Sequence, residues 1–255
     1  MTGWIVFLVI VLIAALAAGA EVYRELHHFR ITRYSVRSEK LAGLARDVKI
    51  LFLSDLHDRT YGKDNVTLLE SIRSQSPDLI LIGGDMLVGK ENASCDNALA
   101  LIRELPKICP VICANGNHEQ RLKDDPETYG DVYEKYKKAL EGCGVHFLEN
   151  ESIRVELGTS DLAIYGLELP SASYKKFKKT PLTSREISEY LGISENREGS
   201  YRINAGKQEK KCYKILLAHN PAYMDAYLDW GADMVLSGHL HGGLVRVPGL
   251  GGIVT

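Results

Sequence analysis

Short apolar runs that each end in Asp, Asn or His recur along this chain, and that pattern constrains the fold more than any other feature. Residues 48–54 (VKILFLS) lead into Asp55-Leu56-His57, and residues 79–82 lead into Gly83-Gly84-Asp85. Residues 111–114 precede Gly116-Asn117-His118-Glu119, residues 213–218 end in Ala218-His219-Asn220, and residues 234–237 precede Gly238-His239-Leu240-His241-Gly242. The runs have the length and β-branched content of buried strands. Helical spacing fills the gaps: residues 65–75, with Val66, Leu68, Leu69 and Ile72 before Pro77, residues 97–105, residues 126–141 before Gly142, and residues 221–229. Past residue 145 the period shortens, and 146–148, 153–157 and 162–166 read as strands, with His146 a structural residue. The class is α/β. In such folds the strand ends on one sheet edge converge, so Asp55, Asp85, Asn117, His219 and His239 are expected in one place.

The residue types in these clusters are those of a metal centre. In Asp55-x-His57, alternation along an extended segment puts a carboxylate and an imidazole on one face, enough to hold a cation. Asp85 has two oxygens and can bridge two cations, and Gly83-Gly84 before it lets backbone approach closely. Asn117 offers a neutral oxygen. His239 and His241 repeat the alternate spacing, so each can serve a different ion or share one with His219. Mixed Asp, Asn and His ligation suits manganese, iron or zinc better than calcium. Two divalent ions ~3.5–4 Å apart lower the pKa of a shared water, and the hydroxide so formed attacks phosphorus in line. His118 adjoins a ligand and is free to steady transition-state charge or protonate the leaving oxygen, with Glu119 placed to orient it. Other dinuclear enzymes, such as metallo-β-lactamases, need a His-x-His-x-Asp-His run, which is absent.

Composition excludes some partners. A net charge of −2 is not that of a nucleic-acid-binding protein, and none is expected. Five cysteines, none spaced Cys-x-x-Cys, read as reduced thiols in a reducing compartment. Residues 4–20 carry no charge and extend ~25 Å as a helix, and Arg24, Arg30, Arg33, Arg37 and Lys40 follow. This predicts a single-pass anchor over 1–23 in the cell membrane, a juxtamembrane connector over 24–47, and a cytoplasmic catalytic domain over 48–255. The rival is a cleaved signal peptide ending at Ala18-Gly19-Ala20, against which stands an n-region without Lys or Arg. Residues 171–212 form a basic insertion, ten Lys and Arg against five Glu, with a short helix capped by Thr183 or Ser184. It reads as a solvated surface segment or as a flap meeting an anionic substrate or lipid headgroups.

With these five clusters in this order, the chain from about Val48 onward resembles the calcineurin-like metallophosphoesterases, above all their bacterial membrane-anchored branch. The resemblance implies two mixed β-sheets packed as a sandwich and flanked by helices, plus the N-terminal transmembrane helix. It implies one metal on Asp55, His57, Asp85 and His241, and a second on Asp85, Asn117, His219 and His239, with Asp85 the bridge and His118 the catalytic imidazole. The implied activity is hydrolysis of phosphodiesters, phosphomonoesters or pyrophosphates on a small-molecule or lipid-linked substrate near the membrane. The alternatives are a UDP-2,3-diacylglucosamine pyrophosphatase-like hydrolase of a lipid precursor and an inactive membrane scaffold. The family usually has Asp at the position of Glu119 and often Thr at that of Leu240. Its members also generally continue past the Gly-His-x-His-Gly-Gly segment, so a chain ending at Thr255 is expected to lack closing strands and to leave sheet edges unpaired.

Overall fold

The computed structural model describes residues 2–157, 160–175, 180–193, 212–240, 245–247 and 251–254. The chain opens with helix α1 (Thr2–His27), whose apolar stretch within Gly3–Arg24 is not buried inside the protein. Strand β1 (Ile50–Leu53), α2 (Val66–Gln75), β2 (Leu79–Ile82), α3 (Asp96–Ile102) and β3 (Val111–Ala114) follow. Then come α4 (Asn117–Asp124), α5 (Pro126–Tyr129), α6 (Val132–Gly142) and β4 (His146–Leu148). The second half holds β5 (Glu151–Leu157), β6 (Ser160–Leu167), α7 (Ser184–Tyr190), β7 (Tyr213–Ala218), α8 (Met224–Asp229) and β8 (Met234–Leu236). A hairpin of β9 (Val245–Val247) and β10 (Gly251–Val254) is last.

Two four-stranded sheets result, in the orders β1-β2-β3-β4 and β5-β6-β7-β8. The second is mixed, since β5 and β6 form an antiparallel hairpin while β6-β7 and β7-β8 run parallel. The first is parallel throughout its described strands, because each successive pair is joined by a helical crossover and never by a hairpin. Side-chain alternation decides which layer each residue joins. Leu79, Leu81, Ile112 and Ala114 face Leu162, Ile164, Ile215 and Leu217 in the core between the sheets. Ile80, Ile82, Val111 and Cys113 turn outward to α2, α3 and α6. Ala163, Tyr165, Leu216 and Ala218 turn the other way, onto α7 and α8. The outcome is a sandwich of two sheets with helices on both outer faces.

Three expectations change in detail. The helix expected over 126–141 is two, because Gly130 takes φ +67° and breaks the run between α5 and α6. The basic insertion is in part structural: Thr183 caps α7 by accepting from Glu186 N at 3.2 Å, and Ile187 and Leu191 are buried against the second sheet. Its lysine run at 176–179 and residues 194–211 lie outside the described residues. The connector over 24–47 is a strap across the domain. Phe29 packs edge-on to Tyr61, Arg33 donates to Gln75 Oε1 at 2.7 Å, and Leu41 enters the core between the sheets. Lys40 then pairs with Asp233 at 2.7 Å, Gly43 N donates to Ser160 Oγ at 3.1 Å, and Arg46 grips Asp78 with both terminal nitrogens.

Candidate metal centre

The predicted residues meet where β1, β2, β3, β7 and β8 end. Asp55 and His57 follow β1, Asp85 follows β2, Asn117 and His118 open α4, His219 follows β7, and His239 stands in the loop after β8. His241 lies outside the described residues. The backbone is bent sharply to reach this corner: Asp55, His57, Asp85 and His239 all have positive φ, between 49° and 71°. Asp, Asn and His enter this left-handed region more readily than other side-chain-bearing residues. The glycines beside them are needed for room. A Cβ on Gly84, itself at φ +89°, would lie 2.0 Å from Gly116 N, and one on Gly238 would lie 2.3 Å from Asp55 Oδ2.

Asp85 is central and almost fully buried. Its Oδ1 accepts the backbone N–H of His118 at 2.8 Å, at the positive end of α4. Its Oδ2 faces three imidazoles: His219 Nε2 at 3.1 Å, His57 Nε2 at 3.9 Å and His118 Nε2 at 3.9 Å. Asp55 Oδ1 stands 3.9 Å from His57 Nε2 and 3.8 Å from His219 Nε2, and it accepts His239 N at 2.9 Å. Two groups of donor atoms result, His57 with Asp85 and His118, and Asp85 with His219 and His239, each group lying within a 4.8 Å span. Asp85 belongs to both. Most of these separations are too long for hydrogen bonds and leave room for an ion between the donors.

Two orphaned atoms say which species fits. Asn117 Oδ1 and His219 Nε2 are buried and make no hydrogen bond. His219 Nδ1 is engaged with Gly83 O at 2.7 Å, an acceptor that fixes the proton on Nδ1 and leaves the Nε2 lone pair directed at Asp85. A carbonyl oxygen and an imidazole lone pair are both donors that a divalent cation accepts. Without one, burial disfavours charge on His219, but the Asp85 and Asp55 carboxylates outweigh it and raise the imidazole to about 9. Asp85 is held below the usual carboxylate range in return, burial being overcome by His219 and by the His118 N–H.

His118 differs from the other imidazoles. Its Nδ1 accepts Gly89 N–H at 2.7 Å, so the neutral ring carries its proton on Nε2, which points into the centre. Burial lowers its pKa, with His57 and Arg121 adding to the effect against Asp85. Gly89, and not Glu119, orients this ring. Glu119 is instead a buried brace: its carboxylate accepts from Asp85 N at 2.7 Å, Leu87 N at 2.8 Å and Gly116 N at 2.9 Å, tying the β2 loop to the start of α4. Burial, with the Asp85 charge beside it, pushes its carboxyl up to about 7.

Two features escaped the sequence. Tyr174, at the start of the basic insertion, sets its ring 5.3 Å from His239 and walls that side of the centre. Ser173 O holds it there by accepting from Asn220 Nδ2 and Tyr223 OH. Farther along the same strand edge lies a second polar cluster. Lys123 bridges Glu149 at 2.8 Å and Glu168 at 2.9 Å, Lys137 pairs with Glu149, and Asn115 donates to both Glu168 and Tyr133.

Residues 48–243 match the family described as calcineurin-like phosphoesterase. The chain is 26% identical over 204 residues to the uncharacterized metallophosphoesterase YkoQ of Bacillus subtilis, covering 80% of this chain and 64% of that one. It is 25% identical over 253 residues to the uncharacterized metallophosphoesterase YkuE of the same organism, covering 94% and 78%. It is 24% identical over 218 residues to the phosphodiesterase YaeI of Escherichia coli, covering 81% and 65%. The chain thus spans slightly less than two thirds of the first and last of these relatives.

Proposed function

The chain belongs to the calcineurin-like phosphoesterase family, whose members hydrolyse phosphoric esters, and from that premise we propose a dinuclear phosphoesterase built on the strand-edge centre. One observation carries the reading: Asp85 stands at the junction of two donor groups, beside a buried Asn117 Oδ1 and a buried His219 Nε2 that lack hydrogen-bond partners. In this proposal Asp55, His57, Asp85 and His241 hold one ion, and Asp85, Asn117, His219 and His239 hold the other. When bound, such ions neutralise phosphoryl oxygens and lower the pKa of a water near them. Manganese, iron and zinc all suit the donor set.

The protein's own groups supply order. Asp85 is turned by the His118 N–H so that its second oxygen faces the imidazoles. His219 is turned by Gly83 O. His118, neutral and carrying its proton on Nε2, donates a hydrogen bond to a phosphoryl oxygen as negative charge builds there. Donation of that hydrogen bond requires no change in protonation, and burial favours the neutral ring. The substrate is a phosphodiester, phosphomonoester or pyrophosphate, and the name of the Escherichia coli relative favours the diester. Neither alternative gains support: the donor residues that an inactive scaffold would shed are present, and none of the three relatives is named as a lipid-precursor pyrophosphatase. Helix α1 is a retained membrane anchor in this reading, with the domain in the cytoplasm.

The test is the full chain in detergent, loaded with manganese and given bis-p-nitrophenyl phosphate. Hydrolysis that a chelator abolishes, with about two ions per chain by elemental analysis, is expected. Turnover that survives complete removal of metal would sink the proposal.

A further inference from the structure

The connector enters the domain at the edge that carries the metal centre. Helix α1 ends at His27, and Phe29 is already docked, its ring 5.2 Å from that of Tyr61 and both packed on the core of the first sheet. Tyr61 lies four residues past His57, at most about 14 Å of extended chain. That loop is fixed in place. Asn65, fully buried, accepts from Tyr61 N at 3.0 Å and donates to Asn97 O at 3.2 Å. From Phe29 the strap runs beside α2 to Gln75 at its C-terminal end, and then to Asp78, Ser160 and Asp233 at the opposite edge, where β2, β6 and β8 begin.

A spanning helix therefore meets the domain at the corner holding Asp55 and His57. The slack from His27 to Phe29 is two residues, about 7 Å, too little to carry the helix end to the far edge. The apolar stretch Gly3–Arg24 has 22 residues, or about 33 Å against a hydrocarbon core of about 30 Å. Exposed Arg59 and Lys63 in the Tyr61 loop add to Arg24, His27 and Arg30 at the helix end. Glu21, Glu25, Asp58 and Asp64 carry equal negative charge, and Arg24 is ion-paired with Glu21, so this junction is neutral overall and only the short tether places the bilayer here.

We infer that the bilayer surface lies across the mouth of the metal centre, so that its phosphoester arrives on a lipid within that bilayer and not from solution. The inference rests on the phosphoesterase reading and on α1 as an anchor. It is tested on the full chain reconstituted in phosphatidylcholine vesicles containing phosphatidylglycerol or phosphatidic acid. The native chain is compared with a variant carrying a flexible Gly-Ser linker of about 20 residues between His27 and His28. Turnover of one of the two lipid esters is expected to fall about tenfold in the variant, since a long flexible tether lowers effective concentration, while soluble bis-p-nitrophenyl phosphate turnover is unchanged. Cleavage of the soluble ester with no cleavage of either lipid, or lipid turnover indifferent to the linker, overturns the inference and leaves the phosphoesterase reading intact. A second readout needs no catalysis: a fluorescent amino acid at Lys63 is quenched by headgroup-labelled lipid, and one at Lys107 on the far edge is not. Equal or reversed quenching also overturns it.

Discussion

Two polar clusters share one strand edge and differ in where their positive charge comes from. The cluster around Lys123 brings its own cations. Its acids, Glu149 and Glu168, are met by lysine nitrogens and hydrogen-bond donors at 2.9 Å or less. The cluster around Asp85 has comparable burial but, among the described residues, no lysine or arginine paired with its carboxylates, and His57 and His118 stand 3.9 Å from the central carboxylate. Buried anions without partners are costly, so they are paired or coordinate metals. The first cluster is closed on itself and fixes α4 and α6 to the strand ends. In the second, on the proposed reading, divalent ions supply the charge that lysines supply in the first.

The contrast can be broken most severely at Asp85. Asp85→Ala is expected to remove bound metal and cut diester turnover on the order of 10³-fold, read by elemental analysis and by the nitrophenolate released. His118→Ala is the next largest: on the proposed assignment, in which this ring donates from Nε2 and ligates no ion, turnover drops about 10²-fold while both ions stay. An emptied site in that variant would move His118 into the ligand set. Glu168→Gln tests the other cluster. Stability is expected to fall by about 1–3 kcal/mol in denaturant melts, with metal content untouched. The smallest effect is a pH dependence. Burial opposes charge on Glu149, but Lys123 and Lys137 outweigh it and hold its carboxyl at about 2, against 4.5 for an ordinary glutamate. A depressed folded value means the unfolded chain takes up the proton first. The stabilisation is thus complete above about pH 4.5 and lost as pH falls toward 2. Chemical melts of the chelated protein across that window measure it, and Lys137→Met should flatten the slope.

The convergence of the candidate site was legible because it obeys a local rule. Asp55, Asp85, Asn117, His219 and His239 each follow an apolar run, and strand ends of one sheet edge gather in space. The strands themselves were legible for the same reason, with β2 and β3 found at the predicted residues. What could not be read depends on distant pairs. Glu119 faces the backbone N–H groups of Asp85 and Leu87, which leave no trace in residue types. Lys123, Glu149 and Glu168 look like surface charges, and only the folded strand ends make them one cluster. Tyr174 sits in a segment whose lysines dominate its composition. The connector reads as a tether because Lys40 and Arg46 find Asp233 and Asp78 only through tertiary structure.

The left-handed backbone at Asp55, His57, Asp85 and His239 bears on how durable the folded chain is. Each such turn costs a side-chain-bearing residue on the order of 1 kcal/mol, and here four occur where charge is also crowded. On the proposed reading, that backbone cost at the candidate corner is offset when divalent ions draw its donors together. Metal binding would then stabilise the fold as well as activate it, and stripping metal from the chain is expected to lower its melting temperature.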